Sequence, residues 1–220
     1  GKLYVTADYY RSRLTDFVTD LLPGANPAFA PYTPPASVPA PVAAQILGAL
    51  QKTLPTSPLP LYVAMTNLPN GAPAFVLSYK NAGKVDTQGV ELAFNYYVTN
   101  NWLIDVNYGW FDFDVKEQAL GDQLLPNTPE HKFNAGLGWR GNKFDAKVTY
   151  RWVDEFPWAA GIFVGTVPQY DVINANANYR FSEMFGVGVD VSNLLDDEHY
   201  EAFGGDILSR RALGYLSINW

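Results

Sequence analysis

Apolar and polar residues take alternate positions along much of the chain, most plainly between residues 170 and 181. There Ile173, Ala175, Ala177, Tyr179 and Phe181 fall on one face and Asn174, Asn176, Asn178 and Arg180 on the other. This is the period of a β-strand with two unlike sides. The spacing returns over 143–152, where Phe144, Ala146, Val148, Tyr150 and Trp152 alternate with Asp145, Lys147, Thr149 and Arg151, and again over 132–140 and 185–192. Strands over 2–17, about 75–98, 102–114 and 210–220 complete an expected set of eight.

The connections alternate between two kinds. Short turns occur at Thr99-Asn100-Asn101, Gly141-Asn142 and Ser182-Glu183-Met184, and long loops at about 18–74, 115–128, 157–167 and 199–209. All the short turns therefore lie at one end, the layout of an all-β, transmembrane, antiparallel up-and-down β-barrel with tight periplasmic turns and long external loops. Both chain ends are then expected on the periplasmic side. A soluble sheet with the same alternation needs a second apolar layer to cover it, and nothing in the chain supplies one. Trp102, Trp110, Trp139, Trp152, Trp158 and Trp220 stand near expected strand ends, where an amphipathic ring suits the lipid headgroup level. No stretch approaches the roughly 18 apolar residues of a membrane-spanning helix, and the first residues alternate where a secretion signal has a continuous apolar core.

Residues 21–73 are a different material, with 12 of the 16 prolines and one charged residue, Lys52. They read as one long Pro-rich external loop, folded on itself or on its neighbours. Within it Val42, Ile46, Ala49, Leu50 and Leu54 recur at helical spacing, and Pro41 is acceptable in a first turn.

Composition narrows the function. The 220 residues are 48% hydrophobic, 15% aromatic and 17% charged, with a net charge of −7, which is unlike a phosphate-binding surface and gives no expectation of a nucleic-acid partner. The chain has no cysteine and only two histidines, His131 and His199. That leaves little for thiol chemistry, a metal centre or general base catalysis. Neither histidine has an evident Ser and carboxylate on one strand face, so a hydrolase ranks last, and no enzyme activity, metal or cofactor is expected. Asp196, Asp197, Glu198 and His199 are consecutive and cannot easily converge on one ion. Asn193 and Asp196, following a strand, suit a turn in which their side chains bond backbone N–H groups. His131 reads as a loop-to-strand hydrogen-bonding residue.

Several local runs together carry a family resemblance. Tyr79-Lys80-Asn81-Ala82-Gly83 is followed by Gly89-Val90-Glu91-Leu92, by Pro129-Glu130-His131-Lys132-Phe133, by Val191 to Tyr200 with its Asn193-Leu194-Leu195-Asp196, by Arg210-Arg211, and by a terminal Trp220. In order and spacing this resembles the C-terminal barrel of TonB-dependent outer-membrane receptors over nearly the whole chain. The resemblance implies a place in the outer membrane of a Gram-negative bacterium and active uptake of a scarce nutrient such as an iron chelate, a vitamin or an oligosaccharide. The implied partners are outer-membrane lipid, the barrel assembly machinery, the rest of the barrel with its plug, and a TonB-type energy coupler acting through N-terminal sequence. Leu216, Ile218 and Trp220 share one face of the last strand and resemble the signal read by the assembly machinery.

Members of that family have about 22 strands around a plug. Eight strands and no plug-like region leave two readings: the C-terminal third of a larger barrel, or a small barrel closed on itself with a structural or adhesion role. Lys147, Arg151, Asp145, Asp190 and Arg180 could furnish the interior of a closed barrel. Gly136, Gly138, Gly186 and Gly188 would leave it under-filled, and a 53-residue apolar loop is large for so narrow a mouth. The larger barrel is preferred. For ligand contact the expected residues are the loop aromatics Phe29, Tyr32, Trp158 and Phe163, because rigid rings give apolar contact at small entropy cost.

Overall fold

The computed structural model describes residues 1–19, 22–23, 28–54, 61–120, 122–160 and 163–218. In chain order the elements are β1 (Lys2–Val18), β2 (Leu22–Pro23), α1 (Ala40–Thr53), a 3-10 turn (Leu61–Ala64), β3 (Met65–Asn67), β4 (Pro73–Phe75), β5 (Leu77–Ser78), β6 (Asn81–Tyr97) and β7 (Trp102–Glu117). Then come β8 (His131–Arg140), β9 (Phe144–Val153), β10 (Phe156–Ala160), β11 (Phe163–Val167), β12 (Tyr170–Arg180), β13 (Phe185–Ser192) and β14 (Arg211–Ile218).

Eight of these strands form one sheet in the order β1-β6-β7-β8-β9-β12-β13-β14. Once the short loop strands are set aside, each pairs with the next one the chain makes, so the sheet is the expected up-and-down meander. The pairings β7–β8, β8–β9, β9–β12, β12–β13 and β13–β14 are antiparallel. Among the described residues β1 and β14 stand at the two ends of the order, and both are exposed along nearly their whole length.

Two expectations need correction. The strand anticipated from residue 75 begins at Asn81, because Pro73–Phe75 pairs with β3 and Leu77–Ser78 with β2. The loop anticipated at 157–167 is a hairpin, β10 with β11, running from Phe156↔Val167 to Ala160↔Phe163. Pro157 hides it from a sequence reading, since proline in a strand is tolerated only where no ladder N–H is required, as in a two-stranded ribbon. The hairpin is anchored by a small core of Val153, Phe156, Val167 and Tyr170, with Trp158 packed against it. Burying a side chain such as Phe156 contributes roughly 1.5–3 kcal/mol.

The chain divides into two compact units. One comprises Gly1–Ser12, Thr87–Asp114 and Leu125–Trp220; the other comprises Arg13–Asp86 and Val115–Leu124. The second contains the Pro-rich loop, which has its own framework. Tyr32 N–H donates to the Met65 carbonyl at 3.0 Å, Thr66 Oγ1 to Ala30 at 2.6 Å, and Asn67 Nδ2 to Thr33 at 3.0 Å, so residues 30–33 are zipped onto β3. β3 in turn pairs with β4 through the turn at 68–72, where Gly71 has φ +81°, a conformation only glycine adopts without strain. α1 forms where the helical spacing predicts it: Pro41 stands in its first turn, and the chain turns extended at Leu54 ahead of Pro55. No residue of α1 is fully buried. At the loop ends of β1 and β6, Arg13 donates two hydrogen bonds to Asp86 at 2.7 and 2.9 Å, and this pairing raises the guanidinium pKa further.

Candidate functional site: the polar wall and the braced loops

The register converts the alternation of single strands into continuous rows. On one face Ala177, Ala146, Trp139 and Trp102 lie side by side, then Ala175, Val148, Leu137 and Ile104, then Ile173, Tyr150, Ala135 and Val106. Trp152, Phe133 and Tyr108 follow, so two aromatic levels bracket an aliphatic band. Trp102 and Trp139 pack edge to face at 5.0 Å in the lower level. In the upper one, Tyr108 Oη and His131 Nδ1 share a hydrogen bond at 2.8 Å, and Trp110 Nε1 donates to Glu130 at 3.1 Å. His131 is thus a hydrogen-bonding residue at a strand start, and its neighbours have the one-end-apolar, one-end-polar character of an interfacial belt. Leu216 and Ile218 of β14, paired with Val187 and Phe185, continue the apolar face. Trp220 lies outside the described residues.

The opposite face is polar and charge-paired. Asn174, Thr149, Gly136 and Asp105 make one row, Asn176, Lys147, Gly138 and Leu103 the next. Lys147 binds Asp105 at 2.7 Å and Arg180 binds Asp145 at 2.8 Å. The glycines expected to leave this face under-filled are occupied by their neighbours. A side chain at Gly136 would strike the Asp105 carboxylate, at Gly188 the Tyr215 ring, and at Gly186 the Ser217 hydroxyl; only Gly138 is open. Tyr215, laid across Gly188, donates its hydroxyl to Asn178 Oδ1. The glycines admit side chains from the adjacent strand, which no reading of one strand at a time can show.

At the loop end of the first unit three connections are braced together. The Asn193 run is a turn: Asn193 and Asp196 have φ of 53° and 62°, Asn193 donates Nδ2–H to the Asp197 carbonyl at 2.7 Å and accepts the Asp197 N–H at 3.0 Å. Asp196 accepts the Arg210 N–H at 2.7 Å, which starts β14. Asn127 accepts the Ala159 N–H and donates to its carbonyl, both at 2.9 Å, so its side-chain amide caps the edge of β10 as a strand would. Phe203 and Phe163 make a reciprocal clasp: Phe203 covers Gly165 on the hairpin, and Phe163 covers Gly204, φ +78°, on the 199–209 loop.

At the same loop end, His199 stacks on Tyr170 at 4.6 Å between ring centroids, and Arg151 donates to Tyr170 Oη at 2.9 Å and to Glu201 at 3.2 Å. His199 Nδ1 meets the Asp197 carbonyl at 3.0 Å, and Nε2 is 3.5 Å from Glu201. Burial pushes the Tyr170 hydroxyl pKa up, and the Arg151 charge pulls it partly back. These side chains bind one another and leave no nucleophile–base pair aimed at an open site.

The four expected ligand contacts are distributed over both units. Trp158 packs with Phe156 at 6.2 Å inside the hairpin, and Phe163 serves the clasp. Phe29 is exposed. Tyr32 lines a cleft of about 340 Å³ with Leu47, Leu50, Gln51, Tyr62 and Met65. Tyr62 and Met65 were not anticipated from sequence, because nothing local signals that they meet α1. No helix among the described residues is long and apolar enough to cross a membrane.

Residues 1–194 match the family model described as TonB dependent receptor-like, beta-barrel. A curated relative, the metal-pseudopaline receptor CntO of Pseudomonas aeruginosa, is 27% identical over 131 residues, which is 56% of this chain and 18% of that protein. Among solved structures the chain resembles the copper transporter OprC, with a TM-score of 0.61, 15% identity, and coverage of 98% of this chain and 28% of that one. The FrpB iron transporter from Neisseria meningitidis gives a TM-score of 0.56 at 15% identity, covering 98% and 29%. At such identities the likeness shows the fold. The chain spans about a fifth of the length of the curated relatives it matches.

Proposed function

Because this chain belongs to the TonB-dependent receptors, as part of their outer-membrane β-barrel in a Gram-negative bacterium, we propose that it forms a section of the wall of an active nutrient importer. That family consists of receptors and transporters rather than enzymes. Its barrels surround a plug and are coupled to TonB, and these are the partners proposed for the whole protein. The observation that carries the reading is the chemical division of the sheet: an aliphatic band between two aromatic levels on one face, and ion pairs with asparagines on the other. The first suits lipid; the second suits a polar plug and a hydrated path. β1 and β14 are proposed to pair with strands of the rest of the receptor, since unpaired strand edges in lipid cost several kcal/mol per backbone group.

Outer-membrane lipid and the barrel assembly machinery are proposed as further partners. The cargo is a scarce nutrient, and a metal or its chelate is favoured over a vitamin or an oligosaccharide because the relatives' names refer to metals and iron. Of the loop aromatics, Tyr32 is assigned direct ligand contact, and Phe29, Trp158 and Phe163 supporting contact. The test is uptake of labelled copper and labelled ferric chelates by cells in which the full receptor replaces the native ones. Uptake should vanish on loss of TonB or of the proton gradient. Equal uptake with and without TonB would overturn the proposal.

A further inference from the structure

The cleft of the Pro-rich loop has two walls. One wall is α1, contributing Leu47, Leu50 and Gln51; the other is the framework of Pro31, Tyr32, Tyr62 and Met65. That framework is held by backbone bonds from Tyr32 to Met65 and from Val76 to Ala64 at 3.0 and 2.7 Å, so it cannot simply collapse onto the helix. The cleft is a partly open recess of about 340 Å³ with mostly apolar walls, within the size range of small-molecule sites. Leu47 consequently stays exposed although it faces an apolar neighbourhood.

We infer that this cleft is a binding site for an uncharged aromatic ring, as a part of the imported ligand; the link to import rests on the reading in the preceding section. Three observations select the ring. The lining carries no charge, and Lys52 is the only charged side chain in residues 21–73, so nothing there compensates the desolvation of an ion. Two phenol rings, a proline and a methionine sulfur are the partners that aromatic faces and edges prefer, with sulfur–ring contacts favourable at about 5 Å. The Tyr32 and Tyr62 hydroxyls with the Gln51 amide supply the few polar groups that would orient a phenol or an aryl amide. A flexible acyl chain would use the volume but not the rings.

Met65 reports on the site directly. It is buried and lines the cleft, and this chain's other methionine, Met184, lies in the turn at 182–184 and serves as a control once its signal is assigned by Met184→Leu. The experiment is NMR of the full receptor in nanodiscs with 13C-methyl methionine, the Met65 signal being assigned by its loss in Met65→Leu. Benzyl alcohol should move the Met65 methyl upfield, saturably, by ring current, while Met184 stays in place. Cyclohexylmethanol, of similar size and polarity, should not reproduce the upfield shift. Leu47→Trp, at an exposed helix position on the cleft wall, should fill the cleft with a ring of its own and abolish the response. A Met65 signal that ignores benzyl alcohol, or that moves equally with both alcohols, would overturn the inference. Uptake is read separately: a shift without TonB-dependent uptake sinks the transport reading alone, and uptake with an unresponsive Met65 sinks this one alone.

Discussion

Replacing Val148 by arginine tests the assignment of faces at its most sensitive point. Val148 lies on β9 four residues from Phe144 and four from Trp152, the aromatic rings near the two ends of that strand. At about 3.4 Å per residue and a tilt of about 40°, it is roughly 10 Å from either ring along the bilayer normal. Its cross-strand neighbours are Leu137 and Ala175, so an introduced guanidinium finds no acceptor and faces hydrocarbon. The expected cost is about 2–4 kcal/mol, the value for arginine at the midplane of a barrel wall. Thr149→Arg adds the same side chain one residue later, on the polar face, in the row of Asn174, Gly136 and Asp105. There the charge meets water and a carboxylate, and the cost should be within about 0.5 kcal/mol of zero, as for other surface changes. Both variants would be made in the full receptor, and unfolding followed by tryptophan fluorescence in a denaturant titration with lipid vesicles. Equal losses, or a larger loss at Thr149, would refute the face assignment and with it the membrane-facing role of the aliphatic band.

Two more outcomes follow from other parts of the chain. Replacing Trp220 with Asp should lower the amount of protease-resistant receptor in the outer membrane without lowering synthesis; unchanged insertion would dismiss Leu216, Ile218 and Trp220 as an assembly signal. Asn193→Ala should destabilise the β13–β14 connection by about 2 kcal/mol, since it removes two side-chain bonds to Asp197 in a left-handed residue. The readout is faster proteolysis within 193–210, and Asn193→Gly, which keeps the backbone conformation, should lie between the two.

The strands of the sheet were legible one at a time, because a surface with lipid or apolar packing on one side and polar groups on the other imposes a period of two on each strand separately. Seven of the eight strands could therefore be read to within a few residues, and the helix beginning near Pro41 could be read from its own period. The Asn193 turn was legible for a similar reason: its bonds join residues four apart. What depended on residues distant in the chain was not legible. The clasp of Phe163 on Gly204 and Phe203 on Gly165, the occupation of Gly136 by Asp105, and the meeting of Tyr62 and Met65 with α1 all join segments whose separation carries no periodic signal. A glycine in a strand reads as a missing side chain; only the register shows that the adjacent strand fills the space. Local alternation thus determined which residues share a face. The tertiary structure decided which loops are braced, where the apolar cleft against α1 lies, and which aromatic rings are left free to line it.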